Sequence, residues 1–212
     1  MLSLNNFSKS YGSIEVLRVN HLLLESGIFW VKGENGSGKS TFLKAVAGII
    51  DCKGTIQIEN TIDSKTDVVA YRKRVNFAEA EANFPTFLTG FDLIRLFAEA
   101  KGAMSSQVEY YVTTMNMNEY IHDLVGTYSS GMLKKLSIVL AFLGNPTVIL
   151  LDEPLITLDQ EAISVVYQWI KERFQHHQVS FLISSHQALA LDNDLEVRTL
   201  LVQNHTLNLL PL

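Results

Sequence analysis

Three short stretches of this chain hold residues suited to a phosphate chain, and an apolar run adjoins each. The first, GENGSGKST from Gly33 to Thr41, sets Gly33, Gly38, Lys39 and Ser40 at the spacing G-x-x-x-x-G-K-[ST]. Such a loop must turn back on itself so that successive backbone N–H groups converge on one anion, and Gly33, Gly36 and Gly38 permit the φ values and close approach this needs. Glu34, Asn35, Ser37 and Thr41 complete the cradle. A helix starting near Lys39 adds free N–H groups and the positive end of its dipole. Lys39 is then expected to reach the β- and γ-phosphates of a nucleotide, and the Ser40 hydroxyl to ligate Mg²⁺. The plainer reading, a Gly/Ser surface turn, would need a buried strand before it and an amphipathic helix after it by accident. IFWV supplies the strand, and STFLKAVAGII sets Phe42, Leu43, Val46 and Ala47 on one helical face.

The second stretch is VILLDEP, which puts Asp152 and Glu153 at the end of a run of buried aliphatics, the edge where open α/β sheets take their ligands. Asp152 suits the acid that holds Mg²⁺, and Glu153 is placed to accept a proton from an attacking water. Two solvated acids at a strand end are the bland alternative, outweighed here by the preceding P-loop. His186 closes another apolar run, ISSH, 33 residues after Glu153, and could hydrogen-bond a γ-phosphate or a water. In the third stretch, YSSGML, Ser129, Ser130 and Gly131 open a helix and offer a second anion site. More than 80 residues separate it from the P-loop. One chain can hardly bring both sites onto one phosphate; two chains packed head to tail can.

The elements that must hold these groups follow from the patterning. LSLNNFS and EVLRVNHLLLE alternate as strands, GTIQIEN reads as a further strand and RVNFAEA as a core strand. From Thr86 to about Leu143 the period turns helical, after which TVILLDE, DQEAISVVYQWIKERFQHH and VSFLISSH restore strand–helix–strand, and RTLLVQNHTLNLL ends as a hairpin. The expected fold is α/β: a P-loop NTPase core with a mixed, mainly parallel sheet, an antiparallel β subdomain from about 1–27 and 54–70, and a helical subdomain inserted at about 86–143. All of it makes one domain over 1–212.

Composition agrees with a folded chain. Of 212 residues 47% are hydrophobic and only 4 are proline, which excludes a disordered chain. A net charge of −5 gives no basic footprint, so nucleic acid is not expected as a partner. The single cysteine, Cys52, allows no internal disulfide and suits a reducing cytoplasm. MLSLNNFSKSYG lacks the regions of a signal peptide. The apolar run Leu136–Leu151 is cut by Gly144-Asn145-Pro146 into pieces too short to span a bilayer.

Taken together, these motifs resemble the nucleotide-binding subunit of an ABC transporter over nearly the whole chain. Gly33–Thr41 matches Walker A and VILLDEP Walker B, with Glu153 at the catalytic glutamate. YSSGM stands at the LSGGQ signature, LITLD at the D-loop ending in Asp159, His186 at the switch histidine, and Tyr11 at the aromatic that stacks on adenine. The resemblance implies a homodimer or heterodimer holding two ATP molecules between the P-loop of one chain and the signature of the other. It also implies an integral membrane partner, a cytoplasmic place on the inner membrane face, and a compact form similar to simple exporters. The chain departs from the family at Ser130 and Met132, where glycine and glutamine are usual. It departs again in RVNFAEAEANFPTFLTG, which has no Q-loop glutamine: Ala80 takes the position in an ungapped comparison, with Glu79 or Glu81 one residue away. Phe84, Phe87 and Phe91 are candidate contacts for the transporter's cytoplasmic helix. A soluble ABC ATPase acting on ribosomes or DNA is the alternative, but such relatives carry two cassettes or a long coiled-coil insertion. A kinase or GTPase would leave the signature, D-loop and histidine unexplained.

Overall fold

The structure, a computed structural model, describes residues 1–191 and 195–211. Its first half runs β1 (Leu2–Tyr11), β2 (Ile14–Leu24), β3 (Ile28–Lys32), α1 (Lys39–Val46), β4 (Lys53–Ile58), β5 (Ile62–Asp63), α2 (Val68–Arg74) and β6 (Val75–Ala78). Then come α3 (Gly90–Lys101), α4 (Ser105–Thr114), a 3-10 turn at Val125–Thr127 and α5 (Ser130–Phe142). The chain closes with β7 (Val148–Asp152), α6 (Gln160–His177), β8 (Ser180–Ser184), β9 (Val197–Gln203) and β10 (Thr206–Leu209).

Two strand patterns make two sheets. β1 and β2 mix buried and exposed positions, as half-buried antiparallel strands do, and they join β4 and β5 in the order β2-β1-β4-β5. β7 and β8 are buried at every position, as strands covered on both faces must be. They sit inside a six-stranded sheet ordered β10-β9-β3-β8-β7-β6, parallel except for the β9–β10 hairpin. The expected α/β fold with a mainly parallel sheet is what the chain forms. Within 54–70 the strands end at Asp63, whose carboxylate accepts from the Lys65 N–H at 2.8 Å to start a turn, and Val68 begins α2.

Register does the positioning. Val31 lies opposite Ser184, Ser184 opposite Asp152, and Leu151 opposite Ala78. The C-terminal ends of β3, β8, β7 and β6 therefore finish level, and everything that follows those strands starts from one edge. Beneath the sheet, Tyr111 of α4, Phe142 of α5 and Trp169 of α6 pack edge on, Tyr111 and Trp169 with ring centroids 4.6 Å apart. On the other face α1 packs against β7 and β8.

Candidate nucleotide site

The loop after β3 is built around what a Cβ would not allow. One placed on Gly33 would stand 2.6 Å from both the Ser37 hydroxyl and the Val202 carbonyl. Gly38, the N-cap of α1, sits at φ 107, where a side chain is strained. No side chain caps α1, so its first N–H groups have no internal acceptor. Lys39 is buried and arches back, donating to the carbonyls of Gly33 at 2.8 Å and Glu34 at 3.0 Å. Ser37 Oγ is buried without a partner. Ser40 is exposed in the first helical turn. Gly33 to Ser37 wall a cavity of about 680 Å³, closed by Ile14 and Val16 of β2, His186, and the β9–β10 turn at Asn204.

The acidic pair is locked by a residue that sequence reasoning passed over. Ser184, fully buried at the end of β8, donates to Asp152 Oδ1 at 2.6 Å and accepts the Glu153 N–H at 2.9 Å. Only the second serine-rich half of ISSH hinted at it. Asp152 is 1% exposed and its Oδ2 has no partner, a buried acceptor that suits a cation or a water bound to one. The described residues hold no cluster of three or more His, Cys, Asp or Glu. One hydroxyl and one carboxylate are nevertheless the donor set Mg²⁺ accepts when phosphates and waters supply the rest. Glu153 takes a left-handed φ of 46°, which turns it out of the strand direction. Its Oε1 comes within 3.3 Å of His186 Nε2, close enough for a charge contact though not aligned as a hydrogen bond.

Beyond β6, Glu79 pairs with Lys44 of α1, and the hydrogen bond to Glu79 pushes the Lys44 ammonium above the usual lysine range. Glu81 is exposed. Lys134 of α5 is a second residue that sequence reasoning missed: its buried ammonium donates to the main chain of this loop.

Not every expected residue meets the cavity. Tyr11 is 52% exposed, lies under the Lys9 ammonium at 4.7 Å, and is absent from the cavity wall. Ser129, Ser130 and Gly131 are also absent from it. Ser129 caps α5, its Oγ accepting the Met132 N–H at 3.2 Å while its own N–H approaches Met132 Sδ at 3.5 Å. Methionine thus takes the third-position role that glutamine fills in a capping box. Gly131 lies against Thr157, whose carbonyl a Cβ would meet at 3.1 Å. Asp159 caps α6 through the Ala162 N–H at 2.8 Å and pairs with Lys135 of α5 at 3.0 Å.

A glycine-walled loop on a parallel sheet, with a locked acidic pair at the neighbouring strand end, defines a P-loop ATPase of the ABC type. The family model described as ABC transporter matches residues 18–156, and the chain belongs to that family as a nucleotide-binding subunit. It is 34% identical over 194 residues to "ATP-binding cassette sub-family A member 10" of Homo sapiens, covering 86% of this chain and 12% of that protein. It is 25% identical over 208 residues to "Bacitracin transport ATP-binding protein BcrA" of Enterococcus faecalis, covering 97% of this chain and 67% of that one. A dimeric ATP-binding cassette in a post-hydrolysis state with ADP and Pi superposes with a TM-score of 0.82 at 21% identity, over 98% of this chain and 96% of that chain.

Proposed function

We propose that the chain binds Mg-ATP in the 680 Å³ cavity and couples its hydrolysis to movement of a membrane partner. The observation that carries the reading is the Asp152–Ser184–Glu153–His186 group beside the P-loop: one buried carboxylate with a free oxygen, and a second carboxylate facing an imidazole. In this reading Gly33 to Thr41 wrap the phosphates, and Lys39 leaves the loop carbonyls for the β- and γ-phosphates. Ser40 and Asp152 would hold Mg²⁺, which neutralises phosphate charge when bound. Glu153 accepts the proton of the attacking water, and His186 orients that water or the γ-phosphate.

Ser129 to Gly131 serve the nucleotide of a second chain. That role is supported by their distance in sequence from the P-loop and by their absence from its cavity. Two chains, alike or different, close on ATP and part after hydrolysis. Residues 86–143 form the unit that moves against the core, while 1–27 and 54–70 flank the base. A cavity of about 380 Å³ between them, lined by Phe77, Phe84, Phe97, Arg72 and Lys101, is the proposed seat of the partner's cytoplasmic helix. Burial pulls the Lys101 ammonium down to about 8 there. Among the described residues no helix is long and apolar enough to cross a membrane, and the chain is proposed to lie peripherally on the inner face through its partner. Export is the proposed direction, on the resemblance of YSSGM to simple exporter subunits.

Glu153→Gln tests the reading. The variant is expected to bind Mg-ATP, lose hydrolysis and elute as a dimer in chromatography with ATP. A monomer that still hydrolyses ATP would remove Glu153 from its role.

A further inference from the structure

Two side chains stitch α5 to β6, one at each end. Away from the site, Asn76 donates both amide hydrogens to the carbonyls of Ala141 and Leu143 at 2.8 Å each, satisfying acceptors at the end of α5. At the site end, Lys134 reaches the carbonyls of Glu79 at 3.3 Å and Ala80 at 2.5 Å. An asparagine is an ordinary neutral tie. A lysine that is 5% exposed is not, because burial disfavours its charge and depresses its pKa. What opposes that cost is four carboxylates: Asp152, Glu153, Glu81 and Glu79 all favour the ammonium. These belong to the strand ends and the loop where the reacting groups gather, and Ala80 offers no side chain of its own to the site.

Resting on the hydrolysis reading above, we propose that Lys134 is a positioning residue for ATP turnover, clamping loop 79–81 by its carbonyls and holding one positive charge beside the Asp152–Glu153 pair. The clamp starts five residues into the helix that Ser129 caps. It therefore ties the surface offered to a second chain's nucleotide to the acids that serve this chain's own.

Steady-state ATPase and thermal melting of the purified chain test the proposal, with Lys134→Met, Lys134→Gln, Lys134→Arg, Asn76→Ala and Glu153→Gln. Lys134→Met and Lys134→Gln are expected to lower kcat about tenfold or more with KM for ATP within about twofold, the pattern of a group needed in the transition state rather than in binding. Their Tm should not fall, because a buried charge is removed. Lys134→Arg, which keeps the cation and its donors, should return to within about threefold of wild type. Asn76→Ala should do the reverse, lowering Tm with kcat within about twofold. If Lys134→Met fails to fold, Lys134→Gln is read in its place. Wild-type kcat in the neutral Lys134 variants, with Glu153→Gln inactive, would overturn the clamp and leave the site standing. A kcat loss that Lys134→Arg does not restore would overturn it too. Full activity in Glu153→Gln would remove the hydrolysis site and the Lys134 role together.

Discussion

Two helix starts in this chain look alike in sequence and are built differently. Both α1 and α5 open on glycine and serine, and both face their first turn outward. α1 begins at a left-handed Gly38 with no side-chain cap, and a buried serine hydroxyl beside it has no partner. α5 begins at Ser129, whose hydroxyl and N–H are both engaged with Met132. Unmet donors buried beside a cavity are costly unless a ligand meets them, so the first start is incomplete without an anion. The second is already satisfied. An anion there must exchange for bonds the chain makes with itself, which suits a contact formed only when another chain delivers it.

The sharpest break of that comparison is Lys39→Ala. It removes the charge that the 33–38 loop holds in reserve on two carbonyls while leaving the N–H cradle. Affinity for Mg-ATP, by calorimetry, should fall by roughly a hundredfold, about 2.7 kcal/mol. Unchanged affinity would mean that the loop before α1 is not the phosphate site and that the two helix starts do not differ in this way.

A smaller effect is expected beside α1, where Glu79 and Glu81 compete for the place without a glutamine. Glu79 is tied to Lys44 of the P-loop helix, whereas Glu81 is exposed. Glu79→Ala should therefore lower ATP turnover several-fold, on the order of 1 kcal/mol. Glu81→Ala should behave as a surface change within about 0.5 kcal/mol in stability. Wild-type rates in both would show that no carboxylate has taken the role.

The difference in construction also decides what could be read beforehand. The P-loop was legible because its chemistry is local: nine consecutive residues between a strand and a helix carry both the geometry and the charge. The parallel sheet was legible because VILLD and SFLIS are apolar throughout. Ser184 and Lys134 were not, since each acts on partners more than 30 residues away, and a serine or lysine in an apolar run carries no mark of its partner. Tyr11 shows the opposite failure. Its position matched a family aromatic, yet the cavity wall takes Ile14 and Val16 from the neighbouring strand and leaves Tyr11 outside under Lys9. Nor did the sequence display α2, whose seven residues are too few for periodicity to declare.

At α5 the expected effects are on stability. Ser129→Ala removes the acceptor for the Met132 N–H and should cost about 1 kcal/mol in urea unfolding. Met132→Gln replaces a weak sulfur acceptor with an amide oxygen in the same capping box and should recover a few tenths of a kcal/mol in the wild-type background. If Ser129→Ala were neutral, α5 would be as uncapped as α1, and the contrast between them would disappear.

The smallest effect separates a cap from a charge. Asp159 caps α6 and also reaches Lys135, so α5 is tied by charge to the segment that follows Glu153. Its carboxyl is held below the usual carboxylate range first by the Ala162 N–H and then by Lys135. A depressed acid contributes stability above its unfolded pKa of about 3.9, and that contribution is lost as pH falls through the folded value. Asp159→Asn keeps an oxygen for the Ala162 N–H, because asparagine caps about as well as aspartate, and loses only the ionic part. Asp159 is more than half exposed, so the change at pH 7 should be between about 0 and 1 kcal/mol, the range of a surface pair. Urea midpoints of the two proteins should then converge as pH is lowered below the folded pKa, where the wild-type carboxyl is also neutral. A gap that persists in acid would assign the effect to the cap alone. The link between α5 and the segment after Glu153 would then be packing at Gly131 and Thr157 rather than charge.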